Sequence, residues 1–332
     1  MIVGNWICLY LRDRYKALAA LVLLLVNASG YNGVQVTAQM MQTFEHFALA
    51  NYIEGGFVEE DEGFPSLLSK NKKLTVDFCQ FFKSMIKTGG EMIYDGFFFI
   101  KNLTSILKHL SRLGQKNIRY TTTLAGWSIN TELAGLLEQA ASDMNRWSEL
   151  IRAEEAKETT RRDLSRLAFL QSEKNKLNEK YRELELCIES LYRHLIYKRI
   201  KDIAPVTRRV SIRELGRLIR KHPGLFLNEW TLRLFAFFVY DKTASVRASV
   251  LKALLPLYED VKLSSKLTLF SHKYQQRILR LSWDKSGCNQ EIAIKLVTAM
   301  FRSYPYLFTR KDLNTVSSLM FFPNRKIAVV AG

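Results

Sequence analysis

The sequence has few of the residues that interrupt helices and build tight turns. Its 332 residues include only 16 Gly and 6 Pro. A β-sandwich or barrel needs a turn about every 8 to 12 residues, so this scarcity argues against both and favours an all-α fold. A hydrophobic content of 48% leaves ample material to bury, but a chain of this length exceeds one compact core by the usual scaling. We therefore predict helices stacked in an extended array.

Residue patterns that carry catalysis or bind metals are also missing. The four cysteines stand far apart without a Cys-x-x-Cys pair, and with the five scattered histidines they form no metal-ligand spacing. No Gly-rich phosphate loop, Gly-x-Ser-x-Gly or His-Glu-x-x-His pattern occurs. We expect no metal site, no cofactor and no enzymatic activity. The cysteine spacing favours a reducing, intracellular setting over a disulfide framework.

No apolar run is long enough to span a membrane. The strongest run, 17–26, follows a charged segment at 12–16 and is much shorter than the ~20 residues that a membrane helix needs. A buried helix and a targeting segment are the two interpretations of this run, and its charged flank favours the buried helix. No membrane partner is expected.

What the chain does contain is a repeated pattern of helix pairs. Residues 234–254 form an apolar helix, a polar turn that opens at Asp241, and a second helix whose apolar residues return to one face. The pattern recurs at Asp284, 43 residues later, and again at 320–330. A period of roughly 40 to 47 residues is typical of HEAT or armadillo solenoids, in which each pair packs only against its neighbours. The fold class predicted is an all-α, HEAT-type helical-repeat solenoid, a class that usually binds partners.

A second pattern predicts one long helical hairpin. Residues 136–204 contain neither Gly nor Pro, and leucines recur every seven residues between Leu170 and Leu191 beside a complementary apolar row. The densely charged stretch 154–166 is where the chain is expected to reverse. We predict an antiparallel hairpin of roughly 121–157 and 163–200 that projects from the solenoid. A self-dimerising parallel coiled coil is the alternative.

Positive charge is concentrated in one region. Residues 193–285 hold 20 Lys and Arg against 7 Asp and Glu, so they carry +13 of the chain's net +17. Along one predicted helix the cations recur at spacings of three and four, which places several of them on one stripe. Such a stripe binds DNA or RNA phosphates, or an anionic membrane, through counterion release; an ordinary solvated helix face is the alternative. We favour nucleic acid, and the candidate DNA contacts are Arg208, Arg209, Arg213, Arg217, Arg220 and Lys221.

Several short segments carry a family resemblance, because they keep their order and spacing over nearly the whole chain. Between 196 and 281 they include Arg199-Ile-Lys-Asp202, Leu225-Phe-Leu-Asn228, Tyr240-Asp-Lys242 and Trp283-Asp-Lys285 just beyond. Upstream they include Asp77-Phe-Cys-x-Phe-Phe82, Ile93-Tyr-Asp95 and Tyr120-Thr-Thr-Thr-Leu-Ala125. Together they resemble the stromalin (stromal antigen) family, the HEAT-repeat subunit of the cohesin ring, and 196–281 resembles its stromalin conservative domain.

The resemblance implies a non-catalytic cohesin accessory subunit. Such a subunit would bind the cohesin kleisin subunit, reach the SMC ATPase ring through it, and contact the DNA backbone in sister chromatid cohesion, in the nucleus on chromatin. The alternative function is a helical-repeat carrier or adaptor that binds cargo peptides or acidic membranes and has no DNA role.

The resemblance also implies an aromatic and basic surface for kleisin or for short regulator peptides such as those of shugoshin. Carried over by position, this surface comprises Ile200, Lys201, Glu229, Arg233, Phe237 and Lys273. Two positions depart from the vertebrate-type pattern, since Ile200 stands in place of Tyr and Phe237 in place of Trp. Phe237 keeps an aromatic face but offers less area and no indole N–H.

The predicted division of the chain has four parts. These are an N-terminal helical region at 1–118, the hairpin at 119–200, the stromalin conservative domain at 196–281, and further HEAT repeats at 282–332. An acidic loop at 59–65 interrupts the first part, as a solvated linker or as a docking site for a basic peptide. Because the family continues for many more repeats, the last part is expected to be truncated.

Overall fold

The structure is a computed structural model that describes residues 2–56, 67–90, 98–157 and 163–332. Regular structure within these ranges is helical throughout, without a strand. The chain divides into two compact units, Met1–Arg199 and Ile200–Gly332. The acidic loop predicted at 59–65 lies outside the described residues, and the four-part division of the chain stays a prediction.

The described helices of the first unit differ widely in length. In chain order they are α1 (Ile2–Arg12), α2 (Arg14–Ala28), α3 (Ala38–Thr43), α4 (His46–Gly55), α5 (Leu67–Lys70), α6 (Lys72–Thr88), α7 (Phe98–Leu110), α8 (Lys116–Glu155) and α9 (Leu164–Leu191). A π-helical turn, Tyr192–Ile196, joins α9 to α10 (Tyr197–Ile200), and the second unit begins at the last residue of α10.

The second unit consists of shorter helices, with 3-10 turns at Ser265–Leu267, Pro305–Leu307 and Ser318–Phe321. Its α-helices are α11 (Pro205–Lys221), α12 (Pro223–Phe226), α13 (Glu229–Phe238), α14 (Ala244–Glu259), α15 (Val261–Ser264), α16 (Thr268–Leu281), α17 (Gly287–Ser303), α18 (Arg310–Ser317) and α19 (Arg325–Ala331).

The apolar run 17–26 lies inside α2 and is mostly buried. The helix begins where Asp13 accepts a hydrogen bond from the Lys16 amide at 2.9 Å, as an N-cap residue should. None of the described helices combines the length and the hydrophobicity that a membrane span requires. The burial of its side chains agrees with the buried helix that the charged flank favours.

Helices α8 and α9 pack along their length as an antiparallel hairpin. Near the turn, the rings of Trp147 and Phe169 lie 6.5 Å apart. Far from the turn, a Cβ added to Gly126 would lie 2.6 Å from Leu195 Cδ2, so the absence of a side chain at Gly126 permits a close approach. Leu170, Leu184 and Leu191 of the heptad row are buried. The apolar seam thus packs against α8 of the same chain, and the self-dimerising coiled coil is not what the structure shows.

The second unit is built from stacked helix pairs. Helices α11, α14, α17 and α19 pack against one another in sequence order, and α13 and α16 pack together beside them. The third pair that the sequence predicts, at 320–330, buries Leu319 and Ile327 against Ile294 of α17. The predicted all-α, HEAT-type helical-repeat fold with one long antiparallel hairpin is confirmed.

Buried ion pairs recur with the period of these repeats. Arg208 donates to both carboxylate oxygens of Asp241, at 2.9 and 3.0 Å, and Arg247 does the same to Asp284, at 2.8 and 2.9 Å. Each aspartate also accepts a backbone hydrogen bond from the residue two positions later, which fixes the turn into the next helix. The polar turns that marked the repeat in the sequence are therefore held by charge as well as by packing.

Candidate nucleic-acid groove and peptide surface

Helix α11 presents its cations on the face opposite its apolar residues. The helix begins at Pro205, whose fixed φ suits the first helical position. Its buried side chains include Val210, Ile212 and Leu215. On the solvent side, arginines follow one another at spacings of four, four and three, and they extend over about 16 Å at the helical rise of 1.5 Å per residue. These exposed residues are Arg209, Arg213, Arg217 and Arg220.

The four arginines line a groove of about 490 Å³ between α11 and α14, which we call the basic groove. The other wall of the basic groove includes Ser249, Lys252 and Pro256 of α14. The two helices cross closely at Gly216, where an added Cβ would lie 2.5 Å from Ala253 Cβ. Because both residues at this crossing are small, longer side chains flank the floor of the groove instead of filling it.

The electrostatics of the basic groove are strongly one-sided. Five cationic side chains line it, and no carboxylate is among its described lining residues. Glu214 lies beside it and accepts hydrogen bonds from Arg213 Nε and from Arg217 Nη1, each at 2.9 Å. Glu214 therefore neutralises part of the charge and holds two guanidinium groups in place.

Two of the six predicted DNA contacts lie elsewhere. Arg208 is only 7% exposed and is bound to Asp241, so it stabilises the fold and its prediction as a phosphate contact is wrong. Lys221 is exposed but does not line the groove. Sequence reasoning missed Lys252, because it followed one helix at a time. The signal was the spacing of Ser249, Lys252 and Pro256, which places all three on one face of the next repeat helix.

The predicted peptide surface centres on α13. Asn228 caps this helix by accepting a hydrogen bond from the Thr231 amide at 3.0 Å. Glu229, Arg233 and Phe237 follow at spacings of four and therefore share one face. Phe237 is 63% exposed, and Arg233 forms an ion pair with Glu229 at 2.6 Å.

Two pockets lie along this face. The first, of about 550 Å³, is lined by Glu229, Arg233 and Lys273 together with the apolar side chains of Leu232 and Leu269. Since its lining combines apolar and charged side chains, it fits an apolar side chain from a partner whose backbone or neighbours are polar.

The second pocket, of about 710 Å³, is lined by Lys201 and Phe237. Ile203 and Tyr240, both exposed, also line it. Arg277 places its guanidinium carbon 4.6 Å from the centroid of the Tyr240 ring and donates to the Val239 carbonyl at 3.0 Å. The ring of Tyr240 is therefore held by a cation–π contact.

Ile200 does not belong to the exposed surface that the sequence predicts. Its side chain is 0% exposed, so it packs in the interior and cannot contact a partner. Burial of this apolar side chain stabilises the fold. A Tyr at the same position would carry a hydroxyl group that needs a hydrogen-bond partner or water. Sequence reasoning missed the exposed apolar residues Ile203, Leu269 and Tyr240, for which no pattern in a single sequence gave a signal.

Among the residues that the structure describes, no three His, Cys, Asp or Glu side chains come close enough together to hold a metal ion.

Two family models match this chain. The model described as STAG domain matches residues 65–173, and the model described as stromalin conservative domain matches residues 201–275. The second match contains Lys201, the six predicted DNA contacts and the other exposed residues of the predicted peptide surface.

Known proteins resemble the chain along its whole length. It is 27% identical over 334 residues to cohesin subunit SA-3 of Rattus norvegicus, covering 100% of this chain and 26% of the relative. Identity to cohesin subunit SA-1 of Xenopus laevis is also 27%, over 100% of this chain and 26% of the relative. Identity to cohesin subunit scc-3 of Caenorhabditis elegans is 25%, over 99% and 30%. The chain thus spans about a quarter of the length of these curated relatives.

A solved structure shares the fold. Cohesin subunit Scc3 from Z. rouxii superimposes with a TM-score of 0.85 at 18% identity, over 99% of this chain and 39% of that one.

Proposed function

Because this chain belongs to the stromalin family, we propose that it acts as a non-catalytic cohesin accessory subunit in the nucleus, on chromatin, where it supports sister chromatid cohesion. In this role it attaches to the cohesin kleisin subunit, and through kleisin to the SMC ATPase ring, while it contacts the DNA backbone. The names of its relatives support the cohesin assignment.

One observation supports attachment to two partners. The basic groove is built by α11 and α14, whereas the first peptide pocket is built by α13, α16 and the turns beside them. A polyanion and a peptide would therefore contact different side chains of the same unit. Neither ligand would need to displace the other.

The DNA role rests on the chemistry of the basic groove. Four arginines and Lys252 supply cations without a base-reading arrangement, so binding would depend on phosphate contacts and on counterion release. We propose Arg209, Arg213, Arg217, Arg220 and Lys252 as the contacts. Lys221, exposed at the end of α11, is retained as a peripheral contact.

The kleisin role rests on the α13 surface. Its two pockets are lined by apolar side chains, and the exposed cations Lys201, Arg233 and Lys273 outnumber the one exposed carboxylate among the described lining residues, Glu229. This lining suits a peptide that alternates apolar and acidic residues. Kleisin or a regulator peptide is the proposed ligand. Phe237 provides the exposed aromatic face at the centre of the surface.

The experiment that tests the kleisin role is co-purification of the chain with the central segment of the kleisin from its own organism. We expect a stable complex that is weakened by Phe237→Ala and by Lys273→Glu, and an unchanged complex for Lys285→Glu, an exposed lysine outside both pockets. If the folded chain forms no complex, the kleisin proposal fails. If the complex survives both surface variants, kleisin binds elsewhere.

The DNA role is tested by the salt dependence of duplex binding, measured by fluorescence anisotropy. Replacing Arg209, Arg213, Arg217 and Arg220 with alanine should weaken binding and reduce the slope of log K against log salt by about 0.9 for each lost phosphate contact. The matched control replaces four exposed cations outside the groove, namely Lys262, Arg280, Lys285 and Arg302. Equal losses in the two variants would reduce the effect to net charge and contradict the groove assignment. Tighter binding to anionic vesicles than to duplex at matched charge would favour the adaptor function instead.

A further inference from the structure

A pocket of about 490 Å³ in the first unit takes no part in the proposed function. It lies between α2, the α3–α4 connection, α4 and α7, and four aromatic side chains line it: Tyr15, Phe44, Phe47 and Phe98. Phe47 is 61% exposed, and Phe44 is also exposed. Two large aromatic rings thus face solvent at the edge of one pocket, where their burial by a ligand would be favourable.

The described lining of this pocket contains an acidic residue but no lysine or arginine. Glu45 is the only carboxylate residue among its described lining residues. The faces of aromatic rings are electronegative and attract cations. In a chain with a net charge of +17, this lining is suited to a positive group and not to an anion.

The two histidines of the pocket have lowered pKa values, which weakens their repulsion of a cation. His46 lies 2.8 Å from the Ser105 hydroxyl through Nδ1, and its burial holds the pKa below the usual value, against a hydrogen bond with Asn102 that raises it. The pKa of His109 is lowered by burial first and then by the charges of Lys108 and Arg112. Both imidazoles therefore carry less positive charge near neutral pH than an ordinary histidine.

The chain itself places a cation on one of these rings. The guanidinium carbon of Arg14, which does not line the pocket, lies 5.7 Å from the centroid of Phe98. Phe98 is also in edge contact with Tyr15, at 5.9 Å. Arg14 therefore already occupies a face of Phe98, and Tyr15, Phe44 and Phe47, together with Glu45, are the side chains left for a ligand.

We infer that this pocket binds the methylated ammonium group of a lysine side chain in a partner peptide. Methylation makes an ammonium group larger and less strongly hydrated, so its transfer from water to aromatic faces costs less than that of an unmodified lysine. Glu45 supplies the compensating charge. Aromatic side chains are the usual binding partners of quaternary ammonium groups in proteins.

The inference is tested by NMR on the full chain labelled with ¹³C at its methionine methyl groups. Met41 lines the pocket, so its methyl resonance reports directly on occupancy, and Met41→Leu assigns it. The probes are Nα-acetyl-trimethyllysine amide and the uncharged compound in which carbon replaces the quaternary nitrogen. We expect the charged probe to shift the Met41 resonance saturably, with at least tenfold higher affinity than its uncharged counterpart.

Variants decide whether the binding is local. Phe47→Ala and Glu45→Gln should each lower the affinity at least fivefold while the other methionine resonances stay in place, which shows that the fold is intact. Glu259→Gln, the same charge change at an exposed position in the second unit, should leave the affinity unchanged. Equal binding of the two probes, no saturable shift, or full affinity in both pocket variants would overturn the inference.

Discussion

Arg208 and Asp241 form a bidentate ion pair that joins consecutive repeats, with hydrogen bonds of 2.9 and 3.0 Å. Both side chains are nearly buried, at 9% and 7% exposure. Arg208 also donates from Nη1 to the carbonyls of Asp202 and Ile203, each at 2.9 Å. One arginine therefore donates hydrogen bonds to acceptors in two successive turns. Its charge is paired with Asp241 inside the protein.

Arg208→Ala is expected to destabilise the second unit by about 3 to 5 kcal/mol, because it leaves the Asp241 carboxylate buried without its partner. Urea denaturation followed by circular dichroism measures the change. Arg209→Ala, at the exposed neighbouring position, should alter stability by no more than about 0.5 kcal/mol. Similar small effects at both positions would mean that the ion pair is not maintained in solution.

Replacing a glycine inside a helix with alanine usually stabilises a protein. At the close crossing of α11 and α14 we expect the opposite effect on stability. Gly216→Ala should destabilise the chain by about 1 to 3 kcal/mol, because the new Cβ would lie 2.5 Å from Ala253 Cβ and 3.1 Å from its Cα. Thermal unfolding measures the loss. At an open helical position the same substitution is expected to be neutral or stabilising by up to about 1 kcal/mol.

Gly224→Ala is the matched control, since nothing lies within 4 Å of its added Cβ. Ala253→Gly should restore part of the stability lost in the Gly216 variant. A Gly216→Ala chain as stable as wild type would contradict the tight crossing on which the floor of the basic groove depends.

The fold could be read from the sequence because its signals are periodic. Asp241 and Asp284 marked the repeat, and the structure places both at the turns between paired helices. The leucine row of α9 marked a long helix for the same reason. What periodicity could not decide was the partner of that row, because an antiparallel hairpin and a parallel dimer bury the same face.

The candidate site could be predicted only in part, because exposure depends on tertiary packing. Arg208 and Arg209 are adjacent in one basic stretch, yet one is buried in an ion pair and the other lines the basic groove. Ile200 was carried over by position and is buried. Lys252 belongs to the next repeat, so its place in the groove follows from the packing of α14 on α11 and from nothing local.

The end of the hairpin should lose stability in acid. A hydrogen bond from Lys157 Nζ at 2.7 Å, followed by one from the Asp163 amide at 3.2 Å, holds the pKa of Glu154 below its usual value. A depressed pKa in the folded state contributes stability above the unfolded pKa, and this contribution is lost as the pH falls through the folded value. The affected range therefore lies below the usual pKa of a glutamate.

Amide hydrogen exchange between pH 6 and pH 3 checks this expectation, after correction for intrinsic exchange rates. Protection near the ends of α8 and α9 should fall with pH in the wild-type chain, and Glu154→Gln should lower it at pH 6 and flatten the dependence. Glu149→Gln, an exposed glutamate on α8, should behave as wild type. A pH dependence that is unchanged in the Glu154 variant would assign it to other carboxylates.

Glu214 is expected to weaken the binding of DNA phosphates in the basic groove. Its carboxylate accepts hydrogen bonds from Arg213 and Arg217, so it competes with phosphate for two of the proposed DNA contacts. Glu214→Gln should strengthen duplex binding by about 1 kcal/mol, or about fivefold, the size of one charge interaction at about 4 Å in water. Since exposed ion pairs contribute little to stability, the variant should fold normally.

Fluorescence anisotropy at several salt concentrations measures this effect against Glu259→Gln, which makes the same charge change at an exposed position outside the groove. General attraction by a more positive chain would strengthen binding equally in the two variants. Release of the two arginines predicts more than that, because each additional phosphate contact steepens the slope of log K against log salt by about 0.9. Steeper salt dependence in Glu214→Gln alone would therefore place the duplex at Arg213 and Arg217, and identical slopes in both variants would remove them from the DNA contacts.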